Sequence, residues 1–386
     1  MALPSAHSVD VSSILHEVYG REAVLIDRLR QLTEIESPSS SKAGVDRAQS
    51  LLANWAEASG GKVIRHVFNH FGDSLEMQFG EKLSGKDGVL ILGHVDTVWA
   101  LNTLAQMPFL VSEERIAGPG VLDMKSGVLM ALTAVEVLSD MTLLSRPVTL
   151  LIHGDEEVGS PSSRELTETV AKQCSAVYVM EPAQGDRGAY KTARKAVGQY
   201  RLTVYGVASH SGVDFEKGHS AVIELARQIE VVQLLTDLSK GVTVNPGVIG
   251  GGTCSNVIAA EAWVEIDVRI ARKEDMAGID DALHALMPID DGCRLTLSGG
   301  MNRGPMERSD GTVALFERAK AFASELGIAL EEAATGGASD GNLTAVLGIP
   351  TLDGMGAVGA GAHAPHEHLE RKHLLPRTAL LAVMLL

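Results

Sequence analysis

The stretch Val148-Thr-Leu-Leu-Ile-His-Gly-Asp-Glu-Glu-Val-Gly159 decides the fold class. Its apolar half, rich in Val, Leu and Ile, predicts a strand buried on both faces. The run stops at Asp155, Glu156 and Glu157, and Gly159 follows. In an open α/β sheet ligands bind beyond the carboxyl ends of the strands, so these carboxylates are expected at the rim of a site. Successive side chains of an extended chain point to opposite sides, so one glutamate can hold a metal while the other faces a substrate water. A solvated acidic turn after a buried strand would look the same, and the other strand ends must decide.

Two further apolar runs end in the same way. Residues 88–92 lead into Gly93-His94-Val95-Asp96-Thr97, and residues 176–180 into Glu181-Pro182. A histidine two residues before an aspartate, both on one side of an extended chain, suits a metal ligand with its orienting carboxylate. A polar strand end with a satisfied histidine is the alternative. Between these runs, Gly118-Pro-Gly-Val-Leu-Asp-Met-Lys-Ser-Gly127 leads into a helix over 128–138. Lys125-Ser126 gives it a superficial likeness to a phosphate loop, but Met124 stands where that loop needs glycine, and the likeness is rejected. Asp123, at the loop–helix junction, could bridge two cations or cap the helix.

Strands alternating with helices at 46–59, 128–138 and 162–172 predict a doubly wound, mostly parallel α/β sheet. Upstream, 12–35 has helical periodicity, and 62–67 and 74–79 are strand-like. The pattern changes near Lys195. Residues 199–205 alternate between faces, 220–238 form a long amphipathic helix, and 242–252, 255–270 and 294–297 read as strands around a helix at 276–286. This predicts an inserted α+β domain over 195–305, with the main domain formed by 1–194 and 306–386. From Ser309 a helix, the glycine-rich Gly336-Gly-Ala-Ser-Asp-Gly341, another helix, a strand at 349–352 and Gly359-Ala-Gly-Ala-His363-Ala-Pro-His-Glu-His-Leu-Glu370 follow.

With 386 residues the chain has enough for about two cores. Its net charge of −16 argues against a nucleic-acid or anionic-membrane surface, since nothing would offset phosphate repulsion. Cys174, Cys254 and Cys293 are odd in number and widely spaced, which fits reduced thiols in a cytoplasmic protein. Residues 1–8 have neither a basic nor an apolar leader region, and no apolar run approaches a membrane span of about 20 residues.

The ordered set His94-x-Asp96, Gly-Pro-Gly-x-x-Asp123-x-Lys-x-Gly, Asp155-Glu156-Glu157-x-Gly, Glu181-Pro and His363-x-x-x-Glu367 resembles the di-zinc exopeptidases and deacylases. That family includes glutamate carboxypeptidases, acetylornithine deacetylases, succinyl-diaminopimelate desuccinylases and aminoacylases. Within it the chain is most similar to bacterial glutamate carboxypeptidases, through Gly-Val-Ala-Ser-His210-Ser-Gly, Ser-Asn256-Val-Ile, Asp-Val-Arg269 and Thr335-Gly-Gly-Ala-Ser-Asp. Each motif is weak alone, and the order across nearly the whole chain makes them specific.

The resemblance implies two zinc ions, with cobalt or manganese able to take the same donors, bridged by Asp123 and a water or hydroxide nucleophile. His94 and Glu181 would complete one site, Glu157 and His363 the other. Asp96 would support His94, and Glu156 would be the general base. His366 and His368 compete for the role of His363 and are assigned to a solvated turn. The insert is expected to be a lid and homodimerisation module. From it His210 would stabilise the oxyanion, in cis or from a partner subunit. Asn256 and Arg269 would grip a free carboxylate, Arg269 by a bidentate pair, and Gly337 would let backbone approach the substrate. Arg194, Lys195 and Arg303 would contact a side-chain carboxylate or stay solvated.

Two positions depart from the family pattern: Ala196 replaces a glycine, and Met124 replaces a second acidic residue. The expectation is a metal-dependent hydrolase cleaving an amide next to a free carboxylate in a peptide or N-acyl amino acid, first a glutamate-type carboxypeptidase. An N-acyl-amino-acid deacylase, a non-catalytic carboxylate-binding protein on the same scaffold and a metal-stabilised structural protein are the alternatives.

Overall fold

The computed structural model describes residues 10–81 and 87–386. Residues 1–8, expected to carry no leader, lie outside them. The described residues divide into two compact units. The second comprises Ala193–Glu307 and Thr335–Ala338, and the first the remainder.

The first unit opens with α1 (Val11–Gly20), α2 (Glu22–Glu34) and α3 (Lys42–Ala58). The helical periodicity over 12–35 is carried by two helices that break at Arg21, which leaves the helical region at φ −101° and ψ 2°. Gly20 just before it weakens the helix at this point. Strands β1 (Lys62–His66), β2 (Ser74–Phe79), β3 (Gly88–His94), β4 (Leu110–Val111) and β5 (Arg115–Ala117) follow. Next come α4 (Ser126–Asp140), β6 (Val148–His153), α5 (Arg164–Ala171), β7 (Cys174–Val179) and β8 (Tyr190–Arg194).

The second unit holds β9 (Ala196–Tyr205), α6 (Ala221–Gln233), β10 (Thr243–Gly251), β11 (Glu261–Ile270), α7 (Lys273–His284) and β12 (Arg294–Arg303). The remaining elements are α8 (Asp310–Glu325), β13 (Glu332–Thr335), α9 (Gly341–Val346), β14 (Thr351–Leu352), β15 (Gly359–Ala360), β16 (His368–Glu370) and α10 (Arg371–Met384).

The main sheet has the order β1-β2-β6-β3-β7-β14. β6, β3, β7 and β14 run parallel, and β2 runs against its neighbours. The chain is thus a mixed α/β protein with a mostly parallel sheet. Parallel strands covered on both faces need apolar residues at nearly every position, and Val148, Leu150, Leu151 and Ile152 of β6 are all buried. Every residue of α4 from Ser126 to Leu138 is buried as well. A helix apolar all round belongs inside the protein, and α4 packs against α10, α1 and α2.

Adjacency in the sheet places the site. β3 lies between β6 and β7, with His94 opposite His153 and Leu92 opposite Val179. Two residues past that last pair, His94 and Glu181 come level, while the Asp155–Glu157 turn leaves β6 alongside. Motifs separated by dozens of residues therefore meet at one rim.

The second unit is an antiparallel sheet of order β10-β11-β9-β12. Leu202, Val204, Val264, Ile266 and Val268 alternate onto its buried face, where Leu225 of α6 and Leu283 of α7 join the same core. Its entry and exit lie side by side, because Arg194 and Met306 exchange main-chain hydrogen bonds at 2.9 and 3.0 Å. No helix among the described residues is long and apolar enough to cross a membrane.

Candidate metal centre

His94 closes β3, and its Nδ1 donates to the main-chain oxygen of Asp96 at 2.9 Å. That bond leaves Nε2 facing inward, 3.4 Å from Asp123 Oδ1 and 3.6 Å from Glu181 Oε1. The Asp96 carboxylate, expected to orient His94, lies 3.5 Å from the ring. Three better donors claim it: the Glu156 and Glu157 main-chain N–H groups at 3.2 and 3.1 Å and the Ser39 hydroxyl at 2.7 Å. Asp96 thus holds the turn that carries both glutamates as well as flanking the histidine.

Asp123 arrives on the loop between β5 and α4. Gly120 turns that loop at φ +73°, where a Cβ would lie 2.6 Å from Thr97 Cγ2, so only glycine fits. The Asp123–Met124 peptide is cis. Lys125 does not serve a phosphate: its buried Nζ donates to the main-chain oxygens of Leu32 and Ile35 at 3.1 and 3.0 Å. Burial pushes its pKa down to about 8.

The two oxygens of Asp123 face different partners. Oδ1 looks to His94 Nε2, and Oδ2 lies 3.3 Å from His363 Nε2. The same His363 nitrogen is 3.2 Å from Glu157 Oε2. His363 sits at φ 62°, a left-handed conformation that costs a non-glycine residue about 1–3 kcal/mol and is found mostly at functional sites. The structure therefore brings His94, Asp123, Glu157, Glu181 and His363 together. Glu156 joins them, with a carboxylate oxygen within 4.8 Å of donor atoms of His94 and Glu181.

The donor set suits cations. His94 Nε2, Asp123 Oδ1 and Glu157 Oε1 are buried without a hydrogen-bond partner, and such atoms are rare in folded proteins unless they serve a ligand. Imidazole nitrogen and carboxylate oxygen are the donors zinc takes. Electrostatics agree. Burial opposes charge on His94, yet Asp123, Asp96 and Glu181 raise its pKa well above the usual range. Asp123 and Glu157 raise that of His363 to about 10. Burial likewise opposes charge on Asp123, and His363 and His94 outweigh it, holding that carboxyl low. The carboxylates create a demand for positive charge that a divalent cation can meet.

Two positions carry more than the motifs suggested. Ser39, hydrogen-bonded to Asp96, comes from a Ser-rich segment that reads only as a loop. Glu367 stands in the quoted His-x-x-x-Glu pattern, but its buried carboxylate gathers main-chain N–H groups of the Asp123 loop.

His210, Asn256, Arg269 and Gly337 all fall in the second unit. The exposed His210 and Asn256 sit on stitched loops, since Ser211 N–H donates to the Asn256 main-chain oxygen at 3.0 Å. Gly212 N–H donates to His210 Nδ1 at 3.1 Å, which leaves the proton of the neutral ring on Nε2. Arg269 differs from expectation. Its Nε and Nη2 already hold both oxygens of Asp267, at 2.8 and 2.9 Å, because i and i+2 share one face of a strand. One bidentate edge is thus occupied internally, and Nη1 donates only a long bond to the Gly336 main-chain oxygen at 3.5 Å. Arg194 is buried and donates to the Gly337 oxygen at 3.1 Å, so it is no solvated surface charge.

Residues 90–386 match the profile of peptidase family M20/M25/M40. The chain is 26% identical over 377 residues to carboxypeptidase G2 of Pseudomonas sp. (strain RS-16), covering 95% of this chain and 89% of that one. It is 28% identical over 290 residues to acetylornithine deacetylase of Proteus mirabilis, covering 68% and 72%. In three dimensions it is similar to the aminopeptidase PepT of Bacillus cereus, with a TM-score of 0.78 and 20% identity over 94% of this chain and 97% of that one. That last likeness concerns the fold.

Proposed function

The chain belongs to peptidase family M20/M25/M40 and is a hydrolase of that family, and from this premise we propose that it cleaves an amide bond adjacent to a free carboxylate, as a glutamate carboxypeptidase-like enzyme. The observation that carries the proposal is Asp123, whose two oxygens each face a separate histidine–glutamate pair. His94, Glu181 and Oδ1 would hold one cation, and Glu157, His363 and Oδ2 the other. Two divalent cations, zinc first and cobalt or manganese on the same donors, would when bound polarise the scissile carbonyl and lower the pKa of a water.

Glu156 takes the proton of the attacking water and passes it to the leaving amine. The Asp96 carboxylate fixes the turn on which Glu156 and Glu157 stand. His210 offers an Nε2–H to the oxyanion. Asn256 and the Nη1 end of the Arg269 fork, in place of its long bond to Gly336, receive the substrate carboxylate, and Gly337 allows backbone to approach it. The likeness to acetylornithine deacetylase supports an N-acyl-amino-acid deacylase as the second reading.

A Glu156→Gln variant separates catalysis from mere carboxylate binding. It should retain two cations per chain and lose about 10²–10⁴-fold in turnover. Turnover at the wild-type rate would remove the mechanism, and loss of a cation would make Glu156 a ligand. A screen of peptidyl and N-acyl amino acids with zinc present fixes the substrate: release of glutamate or aspartate alone supports the leading reading, and a preference for apolar residues overturns it.

A cytoplasmic homodimer through the second unit belongs to the same reading. It is supported by free cysteines and by exposed Val248 and Ile249 on edge strand β10 together with exposed Val222 and Ile223 on α6. Light scattering should give twice the chain mass, and a monomer at micromolar concentration would remove this part.

A further inference from the structure

Glu367 is almost completely buried, with 1% of its surface exposed. A carboxylate so placed must find donors, since unpaired burial of charge is costly. It has four. Oε2 accepts from Trp99 Nε1–H at 2.8 Å and from the Gly120 main-chain N–H at 2.9 Å. Oε1 accepts from the main-chain N–H groups of Leu122 at 2.9 Å and Asp123 at 3.1 Å. Three of the four belong to the loop that ends at Asp123.

The segment carrying Glu367 is itself fastened to the same region. It begins at His363, four residues earlier, and continues into β16, which pairs antiparallel with β5 so that His368 faces Ala117 and Leu369 faces Ile116. β5 runs directly into the Asp123 loop. The β16–β5 ladder and the Glu367 carboxylate thus close a ring of contacts joining the chain at His363 to the chain at Asp123. Those two residues face each other across 3.3 Å.

We propose that Glu367 is a positioning residue that sets the Asp123 loop against His363 before any cation arrives. The proposal rests on the metal-centre reading above. The Glu367 carboxylate makes no hydrogen bond to the imidazole of His363 or the carboxylate of Asp123. It acts through the Asp123 backbone, fixing where the aspartate side chain begins.

Glu367→Gln tests this at constant volume. Whichever way the amide turns, its NH₂ faces two N–H donors, so half of the brace becomes repulsive. Removing a group that orients a ligand typically costs about 10–100-fold in metal affinity. Chelator-stripped wild type and variant are titrated with Zn²⁺ against a chromophoric competitor, and with Co²⁺ followed by its visible absorption. Far-ultraviolet circular dichroism checks that both are folded. The expected result is two equivalents in the wild type, a second equivalent weakened about 10–100-fold in Glu367→Gln, and an altered cobalt spectrum.

Two equivalents at wild-type affinity with an unchanged cobalt spectrum in the variant would overturn the proposal and leave the metal-centre reading intact. A wild type that takes up no cation would overturn both. Should the variant fail to fold, hydrogen exchange of the stripped wild type decides. The amides of Gly120, Leu122 and Asp123 should be protected without metal, and rapid exchange there until zinc is added would overturn the proposal.

Discussion

The carboxylate of Asp96, at the end of one strand, accepts the main-chain N–H of Glu157, at the end of the next, at 3.1 Å. Its other oxygen takes the N–H of Glu156 at 3.2 Å. The residue that flanks the histidine donor therefore also anchors the proposed base and a carboxylate donor. Asp96→Asn places an amide NH₂ against one of these donors. Cation affinity should fall about 10–100-fold, measured by competition titration. Unchanged affinity would show that the turn holds itself.

Arg269 is held by Asp267 along one edge, and its Nη1 makes only a long bond to the Gly336 main-chain oxygen. Lysine at this position retains the charge but has no planar fork. Arg269→Lys is expected to raise KM for a carboxylate substrate about 10–100-fold with a smaller change in kcat, since one or two charge-assisted bonds are lost. Steady-state kinetics against the same substrate as its carboxamide checks it. An equal effect on both would place Arg269 away from the carboxylate.

The main sheet was legible because parallel strands buried on both faces announce themselves as short apolar runs, and three of them stop on a charged residue. The second unit's strand β9 shows the same alternation that the sequence carries over 199–205. The limits were physical too. The break at Arg21 depends on a local conformation that periodicity alone does not reveal. The occupation of Arg269 by Asp267 follows from strand register, and the four donors around Glu367 come from chain more than 240 residues away. Ser39 reaches Asp96 across 57 positions, and nothing in a Ser-rich loop marks which hydroxyl will do so.

Asp73 gives a stability prediction with a definite sign. It is buried, pairs with Lys42 and Arg65, and accepts the Phe68 N–H. Burial opposes its charge, but Lys42, then Phe68 and Arg65, hold its pKa below the usual value. A carboxyl depressed in the folded state contributes stability above its unfolded pKa of about 3.9 and loses it as pH falls through the folded value. Asp73→Asn should therefore cost about 1–3 kcal/mol at pH 7. The gap should narrow below about pH 4 in urea unfolding. A pH-independent gap would assign the loss to packing.

Gly127, in the first turn of α4, packs against the strand end that carries Glu181. A Cβ there would lie 2.1 Å from the Met180 main-chain oxygen. A Cβ built on Gly356 would meet the same oxygen at 2.2 Å, so two glycines crowd this one carbonyl. Gly127→Ala should lower stability by about 1–3 kcal/mol and weaken cation binding by displacing Glu181. Thermal unfolding together with zinc titration tests both, and a stable variant with normal zinc affinity would contradict them.

The reciprocal hydrogen bonds between Arg194 and Met306 make the insert a cassette. Its two ends are already as close as neighbouring strands, so excising it or exchanging it for another domain needs a bridge of only a few residues. Closing so short a loop carries little entropic penalty. Recombination at this doorway can therefore replace the second unit without rewriting the strands of the main sheet.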